Sequence, residues 1–352
     1  MTGTALRRLR VAYATMSGDD FRHPAYRRRF AFYAKARGIP LVAANVRERY
    51  DVVVVHHSAD LTLWRSYEGG RIVFDYNDSY LREPRFSPKR LLRGLAKFAS
   101  GNTRHPIWSY TQAYRDTMAR AHAVVCSTRA QQADVAALCR NVHEILDFWS
   151  DDDGVVKVRY EAGVPFHMVW EGFPSFGGFV QLQGPLGEFS RRHAAQLHLV
   201  TNVVGARFLN TVWPRHTITY AKSVIPRPDV FLYEWNLKFV SRIITACDLA
   251  LIPIDMRSPF DVAKPANRLL QFWRIGMPVL TSRTPEYARM AEMAGIESTC
   301  DTPAEWEAAL ERYAGDEERR RADATAGKAL VDRCFSNDAL LRLWDAVLES
   351  VV

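Results

Sequence analysis

The segment from Ala246 to Tyr287 constrains the fold more than any other part of the chain. It reads in order as an apolar strand, a polar loop, a helix and a second strand: Leu249–Ile254, Asp255–Ala263, a pattern from Pro265 to Gly276, and Met277–Thr281. The helical part repeats apolar residues at the spacing of one helix face, and Gly is a common helix terminator. A strand followed by a helix and another strand predicts a parallel β-sheet.

The start of this helix has the features of an anion site. Lys264 precedes Pro265, a residue favoured at the first helical position, and Asn267 and Arg268 follow in the first turn. The unpaired N–H groups and positive dipole end of a helix attract phosphate. The alternative is a solvated basic helix start, or an Asn267 side chain that bonds its own backbone.

The same alternation runs through the rest of the chain and predicts two sheets. Strands are predicted at Arg10–Thr15, Pro40–Asn45, Asp51–His56, Arg71–Tyr76, Ala123–Ser127, His167–Trp170, Leu197–Thr201 and Thr217–Tyr220. Helices are predicted at Pro24–Arg37, Lys89–Ala99, Trp235–Ala246, from the capping box of Thr302 with Glu305, and from Ser336 to the end. A linker is expected at about residues 148–160, where aspartates and a Gly follow an apolar run.

Length and composition fit a compact protein of two domains. The chain has 352 residues, 48% hydrophobic and 24% charged, and no apolar run approaches the ~20 residues of a membrane-spanning helix. No signal-peptide pattern precedes the first strand, so a cytoplasmic location is expected. Five scattered cysteines support neither a disulfide framework nor a zinc site.

Positive charge is concentrated in the first 150 residues. They contain 24 Lys and Arg against 13 Asp and Glu, whereas the remainder contains 23 against 26. The helical pattern at Lys89–Ala99 has apolar residues on one side and basic ones around the other. One interpretation is peripheral contact with an anionic membrane, and the other is a surface helix with solvated charges. Nucleic-acid binding is not favoured, because the basic residues form no recognised motif.

The segment around Ala246–Tyr287 resembles the donor-binding region of GT-B glycosyltransferases. The features that carry the resemblance are Asp248, the strand Leu249–Pro253, the helix from Pro265, and Gly276, Pro278, Val279 and Ser282. The chain is similar to the group 1, glycogen-synthase-like bacterial surface-glycan transferases. The resemblance implies an α/β fold of two facing Rossmann-like domains with parallel sheets, residues 1–150 binding the acceptor and 151–335 the nucleotide sugar. A C-terminal helix, residues 336–352, is expected to cross back onto the first domain.

The resemblance implies a donor site in the second domain and shows where this chain departs from the family. Two glutamates that usually contact sugar and ribose align with Ala263 and Gln271. The usual Gly-Arg pair after the domain's first strand appears as Gly172-Phe173, with Arg207 as a candidate substitute. The remaining donor-site candidates are Lys264, Asn267, Arg268, Glu171, and Tyr233 or Trp235 for stacking on the base, although such aromatics also occur in cores.

Acceptor-side candidates follow the strands of the first domain. Ligands bind at the carboxyl ends of strands in open α/β sheets. Asp20 follows the first strand, His56 ends the third and Asp78 follows the fourth. Asp20 and Asp78 are the candidates for a general base and His56 for a polar contact to the sugar. An inverting enzyme needs such a base and a retaining one does not, so the sequence leaves the stereochemistry open. All three residues are also ordinary turn formers.

These features together predict a glycosyltransferase that acts in bacterial surface polysaccharide synthesis, on an O-antigen or a capsule. Its expected partners are a nucleotide sugar and a glycan or lipid-linked acceptor, with no metal and no cofactor beyond the donor. A sugar-nucleotide epimerase of the same fold is one alternative. A degenerate scaffold that binds a partner transferase is another, because the two glutamates are absent.

Overall fold

The chain divides into two units, each with its own parallel sheet. The computed structural model describes residues 9–16, 18, 20–82, 88–149, 153–207 and 213–352, with the backbone alone at 88–91, 93, 205–207 and 213–215. Unit 1 comprises residues 1–150, 263–265 and 335–352. Unit 2 comprises residues 151–262 and 266–334.

Unit 1 is built on a six-stranded parallel sheet. Its strands are β1 (Val11–Ala14), β2 (Leu41–Ala43), β3 (Val52–His56), β4 (Arg71–Tyr76), β5 (Ala123–Cys126) and β6 (Val142–Glu144). They lie in the order β2-β1-β3-β4-β5-β6, so the direction of strand addition reverses between β1 and β3. The helices are α1 (Pro24–Arg27), α2 (Phe30–Arg37), α3 (Leu61–Trp64), α4 (Pro88–Ala99), α5 (Tyr110–Arg120) and α6 (Arg129–Ala136).

The last helix of the chain completes unit 1. This helix is numbered α15 and runs over Asn337–Val351. The indole of Trp344 packs against the rings of Phe30 and Tyr33 on α2, with centroids 5.2 and 5.9 Å apart. The guanidinium of Arg37 donates from Nε to Oδ1 of Asp345 at 2.9 Å. Residues far apart in sequence therefore share one core.

Unit 2 is built on a second six-stranded parallel sheet. Its strands are β7 (Phe166–Glu171), β8 (Ala195–Thr201), β11 (Asp229–Glu234), β12 (Leu249–Ile252), β13 (Val279–Ser282) and β14 (Thr299–Cys300). Their order is β11-β8-β7-β12-β13-β14, the strand order of a Rossmann fold, which reverses between β7 and β12. A separate antiparallel pair is formed by β9 (Val204–Arg207) and β10 (Trp213–His216).

The described part of unit 2 contains eight α-helices and one 3₁₀ helix. They are α7 (Gln183–Arg192), α8 (Thr217–Val224), α9 (Val240–Thr245), α10 (Pro259–Val262), α11 (Asn267–Arg274), α12 (Pro285–Ala294), α13 (Pro303–Gly315) and α14 (Glu317–Cys334), besides a short 3₁₀ helix at Gly177–Leu182. One apolar cluster joins the sheet to α7, α8 and α13. The predicted fold class, two Rossmann-like domains with parallel sheets, is confirmed.

One prediction near residue 220 is wrong. Thr217–Tyr220, predicted as a strand, is the first half of α8, and the strand β11 lies in a region for which no element was predicted. Buried Thr217 and Ala221 are four residues apart, which is a helix face. The alternation that suggested a strand is therefore incidental, and packing of this face decides the structure.

The predicted helix Pro24–Arg37 is two helices, and a buried side chain explains the break. Arg29 lies between α1 and α2 with φ −121° and ψ −134°, outside the helical region. This conformation accompanies a guanidinium that is buried against Asp75 of β4. The local geometry therefore serves an ion pair within the core of unit 1.

Candidate active site

A tight packing of an arginine on a glycine marks the reversal point of the sheet in unit 2. Strand β7 ends at Glu171, and Gly172 follows with φ +154°. A Cβ at Gly172 would lie 2.4 Å from Nη2 of Arg268. Ligands of open α/β sheets bind where the strand order reverses, at the carboxyl ends of the strands. Gly172 thus allows a guanidinium to approach the backbone at the expected place.

The position of Arg268 is fixed by its neighbours. It is the second residue of α11, its Nε lies 3.9 Å from Oε2 of Glu171, and its guanidinium carbon lies 5.6 Å from the ring centre of Trp170. A guanidinium near an aromatic face is attracted by the ring. The side chain stays about 30% exposed. Solvent and ligands can therefore reach a charge that is already oriented.

The helix that carries Arg268 is firmly anchored. Leu269, Leu270, Phe272 and Trp273 of α11 are all buried. A Cβ at Gly327 of α14 would meet the indole of Trp273 at 2.4 Å, so the two helices pack closely. No side chain caps the N-terminus, because its N-cap residue is Ala266. The positive end of the α11 dipole therefore lies beside Arg268 with no acidic side chain capping it.

The other candidates on this segment fall into both units. Asn267 is the first residue of α11, and Gln271 lies half-buried one turn later. The sequence placed Lys264 beside them, but Ala263–Pro265 groups with unit 1. The buried hydroxyl of Ser79 donates to the carbonyl oxygen of Ala263 at 2.9 Å. The chain just before α11 is therefore held by a residue of unit 1.

The aromatic candidates lie on and just after β11, which is an edge strand of the unit 2 sheet. Tyr233 is a strand residue of β11, and its hydroxyl lies 3.1 Å from Nδ1 of His198, whose Nε2 lies 2.9 Å from Nδ1 of His167. Burial, with a smaller effect of His167, lowers the pKa of His198 to about 4. Trp235 is half-buried, and its backbone N–H donates to the carbonyl oxygen of Thr201. Arg207 ends β9, but its side chain lies outside the described residues.

In unit 1 two adjacent histidines lie at the reversal point of the sheet. His56 is fully buried, and its Nδ1 lies 2.7 Å from the hydroxyl of Ser58. Burial, helped by Arg29, lowers the pKa of His56 to about 3, and burial places the pKa of His57 well below its ordinary value. Both imidazoles are therefore neutral at physiological pH.

Three buried polar atoms at this edge have no hydrogen-bond partner within the described structure. They are Nε2 of His56, Nδ1 of His57 and Oδ1 of Asn77. Buried polar atoms are nearly always paired with protein, water or a ligand. Strands β3 and β4 pair directly, with His56 opposite Asp75. The carboxyl ends of these strands thus offer unused hydrogen-bonding capacity.

Asp78 lies beside these histidines. Its Oδ2 is 4.0 Å from Nε2 of His57, and its side chain is one-third exposed. Burial raises the pKa of Asp78, and the positive charge of Lys264 opposes that rise. Hence the structure brings Asp78 and Lys264 together, although the sequence assigned them to different domains.

Beneath this edge lies a buried charged network that the sequence did not reveal. Arg29 donates to the carboxylate of Asp75, to the carbonyl of Ile145 at 2.6 Å and to Oδ1 of Asp147 at 3.4 Å. The hydroxyl of Tyr13 donates to Asp75 at 3.3 Å. The only sequence signal was the run of three arginines at 27–29, which reads equally well as a solvated surface.

Asp20 is placed in a different environment. It lies on an exposed loop, where Nε of Arg22 donates to its Oδ1 at 3.0 Å. This hydrogen bond lowers the pKa of Asp20, which makes the carboxylate a weaker base than Asp78. Among the described residues no three His, Cys, Asp or Glu side chains could share a metal ion. The described helices include none long and apolar enough to cross a membrane.

Comparison with known proteins identifies the fold. The sequence matches no family model and no curated protein. HepE from Anabaena, solved with UDP-glucose, is 13% identical with a TM-score of 0.61 over 98% of this chain and 99% of HepE. WaaG, a glycosyltransferase involved in lipopolysaccharide biosynthesis, is 13% identical with a TM-score of 0.57 over 96% and 98%.

A longer protein shares the same fold. TarM from S. aureus, solved as a mutant with UDP, is 8% identical with a TM-score of 0.55 over 84% of this chain. The match covers 55% of TarM, so this chain spans about half of its length. These likenesses show that the chain has the fold of the GT-B glycosyltransferases.

Proposed function

We propose that this protein is a glycosyltransferase that moves a sugar from a nucleotide-sugar donor to a glycan or lipid-linked acceptor in bacterial surface polysaccharide synthesis. The fold supports the reaction class, since HepE was solved with UDP-glucose and WaaG acts in lipopolysaccharide biosynthesis. The basic first 150 residues support peripheral contact with the inner face of the cytoplasmic membrane, where a lipid-linked acceptor would be found.

The observation that carries the proposal is the guanidinium of Arg268 against Gly172. Sugar transfer requires stabilisation of the phosphate that leaves the anomeric carbon. Arg268, Asn267 and the uncapped N-terminus of α11 supply positive charge and N–H donors for it. Lys264, three residues before this helix, adds a further positive charge in the same stretch. These positive charges and N–H groups take the place of a metal ion at the leaving phosphate. Chelation with EDTA should therefore leave the transferase activity unchanged.

Arg268 also offers an answer to the departure of this chain from the family pattern. The usual basic residue of the loop after β7 is replaced by Phe173. The guanidinium of Arg268 reaches the same loop from α11 instead. Oε2 of Glu171 lies 3.9 Å from Nε of Arg268, so this carboxylate orients the guanidinium, whose N–H groups are proposed to bind the phosphate.

The acceptor is proposed to bind at the carboxyl edge of the sheet in unit 1. The unpaired atoms of His56, His57 and Asn77 suit a ligand with several hydroxyl groups. Asp78 is the candidate general base, because its raised pKa makes its carboxylate a stronger proton acceptor than an ordinary surface aspartate. His56 contributes a polar contact and not a charge, since its pKa is about 3.

Nucleotide binding tests the proposal. Isothermal titration calorimetry with UDP, GDP, CMP and dTDP should find one clear binder. Arg268→Ala should weaken the binding free energy of that nucleotide by ~1.5–3 kcal/mol, the range for a hydrogen bond to a charged group. Arg191→Ala is the matched control, because Arg191 is an exposed arginine at the end of α7, on the side where β8 begins.

Three results would count against the proposal. Failure of all four nucleotides and of their sugars would remove the donor site. Equal affinity of the Arg268→Ala and Arg191→Ala variants would remove Arg268 from it. Release of an epimerised nucleotide sugar in the absence of an acceptor would identify an epimerase instead.

A further inference from the structure

Helix α4 turns an apolar side outward. Leu92, Leu95 and Phe98 are 66%, 37% and 44% exposed, and their spacing of three residues places them on one side of the helix. Amphipathic helices of globular domains normally turn such a side toward the core. Contiguous exposed apolar surface of this kind commonly marks an interaction site.

A glycine explains why the opposite side of α4 is the one that packs. Gly94 is buried, and a Cβ there would lie 2.4 Å from the carbonyl oxygen of Ile107. The ammonium of Lys97 lies over the ring of Tyr110 at 5.2 Å. Contact through Gly94 and Lys97 leaves the side that carries Leu92 free. The exposure thus follows from how the helix is seated.

A second exposed aromatic residue adjoins the helix. Trp108 is 68% exposed and follows Ile107, the residue that touches Gly94. Tryptophan is favoured at the boundary between lipid and water because its ring is apolar and its N–H is polar. Leu92, Leu95, Phe98 and Trp108 are called the α4 surface below.

The stretch of sequence that contains the α4 surface carries charge of one sign. Residues 88–112 include five Lys and Arg, namely Lys89, Arg90, Arg93, Lys97 and Arg104, and no Asp or Glu. Four of the five belong to α4 itself. A basic amphipathic helix binds anionic lipid through both apolar burial and electrostatic attraction. The combination of exposed apolar side chains with a basic sequence favours an anionic lipid surface as the occupant.

We infer that the α4 surface docks the protein on an anionic lipid bilayer, with its apolar side chains in the interface and its basic residues at the headgroups. This inference deepens the proposed membrane contact and rests on that part of the proposed function. It names the lipid chemistry and the residues of contact. It does not depend on the donor site of unit 2, so the two can fail separately.

Vesicle binding by the full chain tests the inference. The protein is sedimented with vesicles of phosphatidylcholine, with or without phosphatidylglycerol, at increasing lipid concentration. Binding is expected only to the vesicles that contain phosphatidylglycerol, and it should weaken with added salt. Combined Leu92→Ser, Leu95→Ser and Phe98→Ser should lower the partition at least about tenfold.

Two further variants separate the contributions. Combined Val158→Ser and Val164→Ser is the matched control, because both valines are highly exposed and lie in unit 2, and it should bind like the wild type. Combined Lys89→Gln, Arg90→Gln and Arg93→Gln keeps the apolar side chains and should lose most of the salt dependence. Vesicles should shift the tryptophan fluorescence of the wild type to shorter wavelength. This shift should be smaller in the Trp108→Phe variant.

Unchanged nucleotide affinity in every variant shows that the donor site is intact. A wild type that ignores phosphatidylglycerol, or a triple serine variant that binds as well as the wild type, would overturn the inference. Self-association through the α4 surface without vesicle binding, measured by light scattering, would overturn it too. Loss of nucleotide binding alone would count against the donor site and leave the docking intact.

Discussion

Two buried arginines show how differently the units are stabilised. Arg29 in unit 1 has lost all exposure and pairs with the equally buried carboxylate of Asp75. Arg320 in unit 2 is also buried, but it donates to the carbonyl oxygens of Tyr160, Tyr313 and Ala314. One charge is neutralised by another charge, and the other is spread over backbone dipoles.

The pKa values of the two guanidinium groups differ accordingly. Burial alone would lower the pKa of Arg29, but Asp75 and Asp147 raise it above its ordinary value. Burial lowers the pKa of Arg320, and the more weakly acting Asp248 only opposes that change. Unit 1 therefore supports its candidate acceptor edge with a buried ion-pair network, whereas the buried arginine of unit 2 stabilises the backbone by hydrogen bonds to carbonyl groups.

Removal of Arg29 should have the largest effect. Arg29→Ala leaves the carboxylate of Asp75 buried without its partner, so the free energy of unfolding of unit 1 should fall by ~3–5 kcal/mol. Hydrogen exchange of the β3 and β4 amides measures this. The double variant Arg29→Met with Asp75→Leu should recover most of the loss, because neither position of the fully buried pair then carries a charge. An Arg29→Ala protein as stable as the wild type would contradict the network.

Removal of Arg320 should have a smaller effect that no second substitution can reverse. Arg320→Met keeps the side-chain volume but leaves buried carbonyl groups unpaired, at a cost of ~2–3 kcal/mol in unit 2. Hydrogen exchange of the β7 and β8 amides reports it. Its partners are backbone atoms, so the compensation possible for Arg29 has no equivalent here. If Arg320→Met destabilised the protein more than Arg29→Ala, the comparison would be reversed.

Acid should weaken both units over different pH ranges. A depressed histidine pKa means that unfolding takes up a proton, so the stability from neutral His56 is complete above about pH 6.5 and lost as the pH falls toward about 3. For each proton taken up, the free energy of unfolding changes by at most about 1.4 kcal/mol per pH unit. For His198 the loss ends at about pH 4. Urea midpoints at several pH values should show a shallower slope for His56→Gln and, in unit 2, for His198→Gln.

The smallest expected effect concerns Gly172. Gly172→Ala brings a Cβ against the guanidinium of Arg268 and a side chain to a positive φ. Displacement of Arg268 should weaken the binding free energy of the nucleotide by about 1 kcal/mol, the scale of one hydrogen bond. Gly187→Ala is the control, since a Cβ there meets nothing within 4 Å. Calorimetry that finds the two alanine variants equal would show that this close approach has no role in binding.

The sequence predicted the elements that depend on local patterns. Strand β4 was predicted at its observed bounds, Arg71–Tyr76. The cap of α13 was predicted from Thr302, whose hydroxyl accepts from the N–H of Glu305 at 3.2 Å. Alternation of apolar residues and capping chemistry act within a few positions, so they are visible in the chain.

What the sequence missed depends on distant partners. Arg29 and Asp75 are 46 positions apart, and nothing in a run of three arginines shows which one turns inward. The hydrogen bond between Ser79 and Ala263 spans 184 positions, so the sequence does not show that Ala263–Pro265 groups with unit 1. The sequence identifies Arg268 and Glu171 as candidates. Only the structure shows that Gly172, which has no Cβ, allows the guanidinium of Arg268 to pack against the backbone after β7.

The position of α15 in unit 1 has a consequence for synthesis of the chain. Phe30 and Tyr33 leave the ribosome more than three hundred residues before Trp344, their packing partner. Unit 2 is translated in between and can fold first as a separate domain. The apolar side of α2 therefore stays uncovered while all of unit 2 is synthesised, so a nascent chain that has not yet reached α15 exposes the surface on which Trp344 will pack.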